Sequence, residues 1–214
     1  MLDSLLDPGR RFLLWLSSKP NRLRVRGARV EVIAALITRN PEASILLAQS
    51  VYHEMWMPPQ EGVNLAESFD AALHRCLEVE CGIDLPPDPK QLARHMYVRS
   101  FRFLGVVPLP PDRHGERPVA DDAPGTALEA VQLKRKAYWM ATVLVRSQSD
   151  IVPKADGKEI MDLRWLSLSE AAVRIRATND LEKADLLVKA LDLCSRDLSG
   201  GLSPRERTAL RGGA

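Results

Sequence analysis

The chain lacks most of the signals that would name a chemistry outright. It has three cysteines in 214 residues, Cys76, Cys81 and Cys194, with no C-x-x-C pair. That spacing excludes the standard zinc modules and a disulfide scaffold, and it suits a reducing cytoplasm. The four histidines, His53, His74, His95 and His114, show no H-E-x-x-H spacing. No apolar run approaches the roughly 20 residues of a membrane helix, so no membrane partner is expected. Residues 1–17 are apolar at Phe12 to Leu16, but they carry Asp3 and Asp7 and break at Pro8-Gly9, which is not the pattern of a secretory signal. An excess of one charge is also missing. The net charge of +2 creates no global field that calls for nucleic acid. There is no internal repeat, no G-x-S-x-G, no P-loop and no G-x-G-x-x-G.

What is present is ordinary for a globular domain, with 45% hydrophobic and 27% charged residues. The length fits one domain with extensions. Residues 3–17 read as a short amphipathic helix. Pro8 to Val30 holds seven basic residues and no acidic one, either an anion-binding segment or a solvated edge. Residues 28–38 start as an alternating strand and become continuously apolar. Asn40-Pro41 reads as a turn, and residues 44–49 as the returning strand. Residues 93–107 read as a long strand or hairpin, with Met96, Val98 and Phe101 on one side. Residues 108–130 are rich in proline and glycine and form a loop long enough to be functional. Residues 133–146 read as a strand. Residues 159–171 read as a strand leading into a helix capped by Ser169. Residues 180–198 read as an amphipathic helix with Leu181, Ala184, Leu187, Leu191 and Leu198 inward. Residues 199–214 are expected to be a mobile tail.

The most informative stretch is Trp56 to Ile83, WMPPQEGVNLAESFDAALHRCLEVECGI. Ser68 is a plausible N-cap, and Asp70 suits the first turn of the helix that follows. Phe69, Leu73 and Leu77 recur every four residues and predict a core-facing stripe. Gly82 ends the helix. Cys76 and Glu80, four apart, are predicted to share a second face beside the stripe. His74 reads as a surface helix residue.

This stretch resembles the Nudix box, G-x5-E-x7-R-E-U-x-E-E-x-G-U, where U is a bulky aliphatic residue. With Gly82 as the closing glycine, Glu67, Arg75, Leu77, Glu80 and Ile83 match without a gap. PPQEGV resembles the P-x-G-G segment at its start. Glu61 stands at the box's first glycine, Cys76 at its first helix carboxylate and Val79 at the second. The strand, turn, strand, loop and helix order resembles the family's as well, and the likeness runs over about residues 28–195.

The resemblance implies an α/β fold, a Nudix-like mixed sheet sandwiched between helices, with N- and C-terminal helical extensions. It divides the chain into an N-terminal helix and basic linker (1–27), a Nudix-like domain (28–198) and a tail (199–214). It also implies Mg²⁺ or Mn²⁺ chemistry on a nucleoside-diphosphate-linked substrate. Glu80 and Glu67 are then the metal ligands, and Glu67, Arg75, Glu80 and Glu159 the catalytic set. Gln60, Glu61, Gly62, Arg113, Lys134 and Lys136 are the substrate contacts. Mg²⁺ takes hard oxygen ligands, often one or two carboxylates with waters and phosphates. Cys76 is a soft ligand and Val79 is none. One carboxylate of the trio can hold a single cation but not a two-metal clamp. Two readings therefore stand side by side: a hydrolase of weak or altered activity, and an inactive module that binds a nucleotide-like ligand or a protein. A third is a related fold turned to a biosynthetic step. A homodimer is left open, and the cytoplasm is the expected compartment.

Overall fold

The computed structural model describes residues 28–38, 43–51, 55–64, 67–85, 95–108, 135–146, 151–178 and 180–199. The expected N-terminal helix, the 108–130 loop and the tail lie outside these residues, apart from Pro108 and Ser199. In chain order the elements are β1 (Ala28–Thr38), β2 (Ser44–Ser50), β3 (Trp56–Met57) and β4 (Gln60–Gly62). Helix α1 (Phe69–Arg75) follows, with a π-helical continuation over Cys76–Glu80. Then come β5 (Met96–Pro108), β6 (Arg135–Val145), β7 (Ile160–Ser167), α2 (Leu168–Arg176) and α3 (Leu181–Ser199).

The seven strands form one mixed sheet. β1 lies at its centre and pairs in parallel with β6 along its whole length, from Ala28–Arg135 to Thr38–Val145. A strand buried on both faces reads as a nearly continuous apolar run, which is the pattern of β1. β5 runs antiparallel to β6 at one edge. Register shifts between Val98 and Ser100, and between Phe103 and Gly105, break its alternation. Met96 and Val98 lie on one side, opposite Val145 and Val143, and the first of these bulges brings Phe101, opposite Ala141, to that side as expected, although Val98 is exposed there.

β1 and β2 touch only at Ile37–Ile45 and Thr38–Ser44, then splay apart. The segment from Trp56 to Gly62 fills the gap. β3 pairs with β2, and β4 pairs with β1 through Ile33–Gln60, Val32–Glu61 and Glu31–Gly62. Between them Pro59 accepts the Ala34 N–H at 2.8 Å. Proline can stand there because the wedge needs its carbonyl and not an N–H. β7 covers the outer edge of β2.

Alternation along β1 sends two sets of side chains to opposite faces. Ile33, Ala35 and Ile37 pack with Ala171 and Ile175 of α2 and with Ala184, Leu187 and Leu191 of α3. Val32, Ala34 and Leu36 pack with Phe69, Leu73, Cys76 and Leu77. Each of the larger apolar side chains contributes roughly 1.5–3 kcal/mol on burial. Phe69 pins α1 to the sheet against Phe101 and Trp139, with ring centroids 4.8 and 5.4 Å away.

Two helix details differ from the sequence reading. α2 is capped by Ser167, not Ser169, because Ser167 and Glu170 complete a capping box while the residue three beyond Ser169 is an alanine. On α3, Leu181 is exposed at the helix start, and the inward stripe is instead completed by Ala190 and Cys194.

Candidate active site at the sheet opening

The site is built where the wedge meets the end of the helix that follows it. Ser68 caps α1 by accepting the Ala71 N–H at 3.1 Å. The helix is α-helical as far as Arg75 and then widens into π geometry over Cys76–Glu80. π segments are rare and tend to lie at functional sites. The turn closes with the Ile83 N–H donating to Leu77 O at 3.0 Å. Gly82 adopts φ +57°, and a Cβ there would lie 2.4 Å from the Lys154 carbonyl oxygen, so only glycine fits.

Cys76 lies wholly in the core beside Cys81, with the Glu80 carboxyl close enough to act on its thiol. Burial, with the charges of Cys81 and Glu80 added, pushes its thiol well up. The position that matches the first helix carboxylate therefore holds a core side chain. Val79, at the second, is 55% exposed and offers no donor. Glu80 remains at the opening. Its Oε2 accepts the Gln60 N–H at 3.4 Å. His74 lies on the outer surface, 3.4 Å from Glu78.

Arg75 organises the loop. Its Nε and Nη2 donate to the two oxygens of Glu67 at 3.1 and 2.8 Å, and Nη2 also donates to Gly62 O at 2.6 Å. Nη1 lies 2.8 Å from Glu61 Oε1. This fork-to-carboxylate geometry is strong and directional. Glu67 additionally accepts the Asn64 N–H at 2.9 Å. Burial raises the Glu67 carboxyl, but the bonds from Arg75 and Asn64 outweigh it and hold the group below the usual carboxylate range. Glu61, in place of a glycine, accepts the N–H of Gly62 at 2.8 Å.

Glu80 is the perturbed group. Burial first, then the charge of Glu61, with smaller contributions from Glu159 and Glu31, pushes its carboxyl up to about 8 against the opposing bond from Gln60. The opening is thus a region of negative potential with one carboxyl kept protonated at neutral pH. Glu159 stands just before β7, where Asp156 accepts the N–H groups of Lys158, Glu159 and Ile160.

Among the described residues no three Asp, Glu, His or Cys side chains converge into a complete metal cage. The oxygens that are present fit one divalent cation and not two. Glu80 is a hard donor whose proton a cation can replace, and the other positions would be left to water and a phosphate. Of the expected site residues, Gln60, Glu61, Gly62, Glu67, Arg75 and Glu80 are linked by the contacts above, and Glu159 acts on Glu80 through its charge. Lys136 lies on the opposite face of the sheet from Glu61, beside Glu31 at 3.0 Å. Lys134 and Arg113 lie outside the described residues. Glu31 escaped the sequence reading because it is one polar residue inside an apolar strand. That interruption was the available signal.

A family model described as the NUDIX domain matches residues 28–187. Among solved structures, a C. elegans Ap4A hydrolase in a binary complex aligns over 81% of this chain and 100% of its own, at 16% identity and TM-score 0.51. A Listeria monocytogenes protein described as a Nudix hydrolase aligns over 80% of this chain and 94% of its own, at 12% identity and TM-score 0.50. At these identities the likeness is one of fold. Comparison with curated proteins gave no match. Among the described residues no helix is long and apolar enough to cross a membrane.

Proposed function

The chain belongs to the Nudix family, and from that premise we propose that it is a divergent pyrophosphohydrolase acting on a nucleoside-diphosphate-linked compound with one Mg²⁺ or Mn²⁺. The observation that carries this reading is Glu80, held at the sheet opening among Glu61, Glu159 and Glu31 with its carboxyl raised to about 8. A carboxyl in that state gains from exchanging its proton for a cation. When bound, the cation would neutralise diphosphate charge and lower the pKa of a bound water.

The chain's own residues do the rest. Arg75 fixes the loop from Glu61 to Glu67 against the helix, so that the opening keeps its shape. Glu67 has both oxygens engaged and acts as a positioning residue. Glu159, exposed and electrostatically coupled to Glu80, is assigned the general base. Gln60 orients Glu80 through its main-chain N–H. With two of three box carboxylates replaced, turnover is expected to be slow. Three buried free thiols agree with a reducing cytoplasm.

A second reading, an inactive binding module for the same ligand class, is favoured by one observation: Cys76 is turned into the core, so that ligand position has been given over to packing. Mg²⁺- and Mn²⁺-dependent nucleotide release, measured over a panel of diphosphate-linked nucleosides beside Glu80→Gln, decides between them. Activity lost in the variant supports the hydrolase. No turnover in the wild type, with ligand-induced thermal stabilisation that survives EDTA, supports the binding module.

A further inference from the structure

Arg29 and Lys136 stand directly opposite each other across the β1–β6 ladder. Like charges so placed repel unless an anion lies between them. Glu31, two residues along β1 and therefore on the same face, supplies it. Its Oε1 is 3.0 Å from Lys136 Nζ and 3.3 Å from Arg29 Nε. Glu31 is only 3% exposed, and its Oε1 makes no hydrogen bond despite the two nearby cations. One buried carboxylate thus separates two cations without saturating either.

Arg29 also reaches across to the wedge. A Cβ on Gly62 would come within 2.5 Å of its Nη2, so the guanidinium lies over that glycine. The Arg29 side chain is 51% exposed and the Lys136 side chain 20%. Among the described residues no other carboxylate meets either cation. The trio therefore carries one excess positive charge, is partly open to solvent, and keeps N–H donors on both flanks of Glu31. It sits on the face that packs against α2 and α3, while Glu61 and Arg75 occupy the other face of the same wedge.

We propose that Arg29 and Lys136, held apart by Glu31, bind a phosphate group of the ligand beside the carboxylate-rich opening. A phosphate has enough acceptor oxygens to span a guanidinium fork and an ammonium, and its charge matches the excess. Glu31 is a positioning residue: it sets the separation of the two cations and competes with the phosphate for them. The proposal rests on the reading above for the ligand class, but not on hydrolysis.

The test is calorimetric titration of the full chain with inorganic pyrophosphate in EDTA, at low and at raised salt. Binding is expected to weaken with salt, as for any partly exposed ion contact. Lys136→Met and Arg29→Gln are each expected to weaken it about tenfold or more, the loss of one charge-assisted hydrogen bond. Glu31→Gln removes the competitor and is expected to tighten binding, a sign that a merely structural carboxylate would not produce. Arg29→Lys keeps the charge and is expected to retain measurable binding, which covers the case of a Gln variant that does not fold. Equal affinity in wild type and in folded Lys136→Met and Arg29→Gln overturns the proposal, as does affinity indifferent to salt. A chain that binds pyrophosphate in this way and releases no nucleotide from any substrate leaves this site standing and removes only the hydrolase reading.

Discussion

Replacing Glu80 with glutamine should make the protein more stable, and increasingly so as the pH rises. The folded chain keeps a proton on Glu80 up to about pH 8, whereas the unfolded chain releases it in the ordinary carboxyl range. Folding is therefore coupled to proton uptake between those limits. The stabilising contribution is complete below the unfolded value and is gone above about 8. The full gap corresponds to roughly 5 kcal/mol. Glu80 is only partly buried, so water entry and side-chain rotation reduce the expected difference to roughly 1–3 kcal/mol. Urea unfolding of wild type and Glu80→Gln, at steps from about pH 5 to about pH 9, measures it directly. The two stability curves should diverge with rising pH, the wild type falling. Mn²⁺ added at the alkaline end should restore the wild type and leave the variant unmoved. Parallel curves, or a wild type that outlasts the variant at alkaline pH, refute the idea that Glu80 is held protonated by its surroundings.

Four further substitutions separate structural from chemical roles. Arg75→Lys loses the fork to Glu67 and the contacts to Gly62 and Glu61, and should cost about 2 kcal/mol in chemical denaturation, since an ammonium cannot reproduce that geometry. Gly82→Ala should cost about 2–4 kcal/mol in the same assay, from a left-handed backbone combined with a backbone clash at Lys154. Cys76→Glu should destabilise by about 3 kcal/mol or more because it puts a carboxylate into the core, whereas Val79→Glu, on the exposed side, should stay within about 0.5 kcal/mol of wild type. A Cys76→Glu protein as stable as wild type would show that the helix can rotate that position outward.

Much of the fold was legible because its signals are local or periodic. Ser68, the Phe69–Leu73–Leu77 stripe and Gly82 each act through their own backbone or one helix face, and all three are found where expected. The continuous apolar run of β1 announced a strand buried on both faces. The rest is decided by tertiary contacts. Cys76 is drawn wholly into the core while Glu80 stays part-exposed, a difference set by packing and not by spacing. The bulge after Val98 keeps Phe101 on the side of Met96 and Val98, a grouping that comes from the ladder with β6 and not from strict alternation. At the site, box spacing was enough to bring Glu67, Arg75 and Glu80 together. The Arg29–Glu31–Lys136 trio depends on a parallel ladder between segments more than a hundred residues apart, and no spacing rule reaches that far.

Glu61 makes the order of ligand contacts testable. Its carboxylate occupies the Gly62 N–H and lies within the same negative field as Glu80, so a phosphate brought to this opening meets repulsion and finds that backbone donor already taken. A phosphate at Arg29 and Lys136 meets two cations against the single carboxylate of Glu31. One phosphate of a diphosphate should therefore bind without a cation, and the second should engage only when a cation offsets Glu61 and Glu80. Mn²⁺ should then raise pyrophosphate affinity about tenfold or more over the EDTA value in the wild type. Glu80→Gln should keep the EDTA affinity and lose that gain, whereas Lys136→Met should lose the EDTA affinity first. An equal Mn²⁺ gain in Glu80→Gln would mean that the cation acts through the pyrophosphate alone, and Glu80 would have no part in holding it.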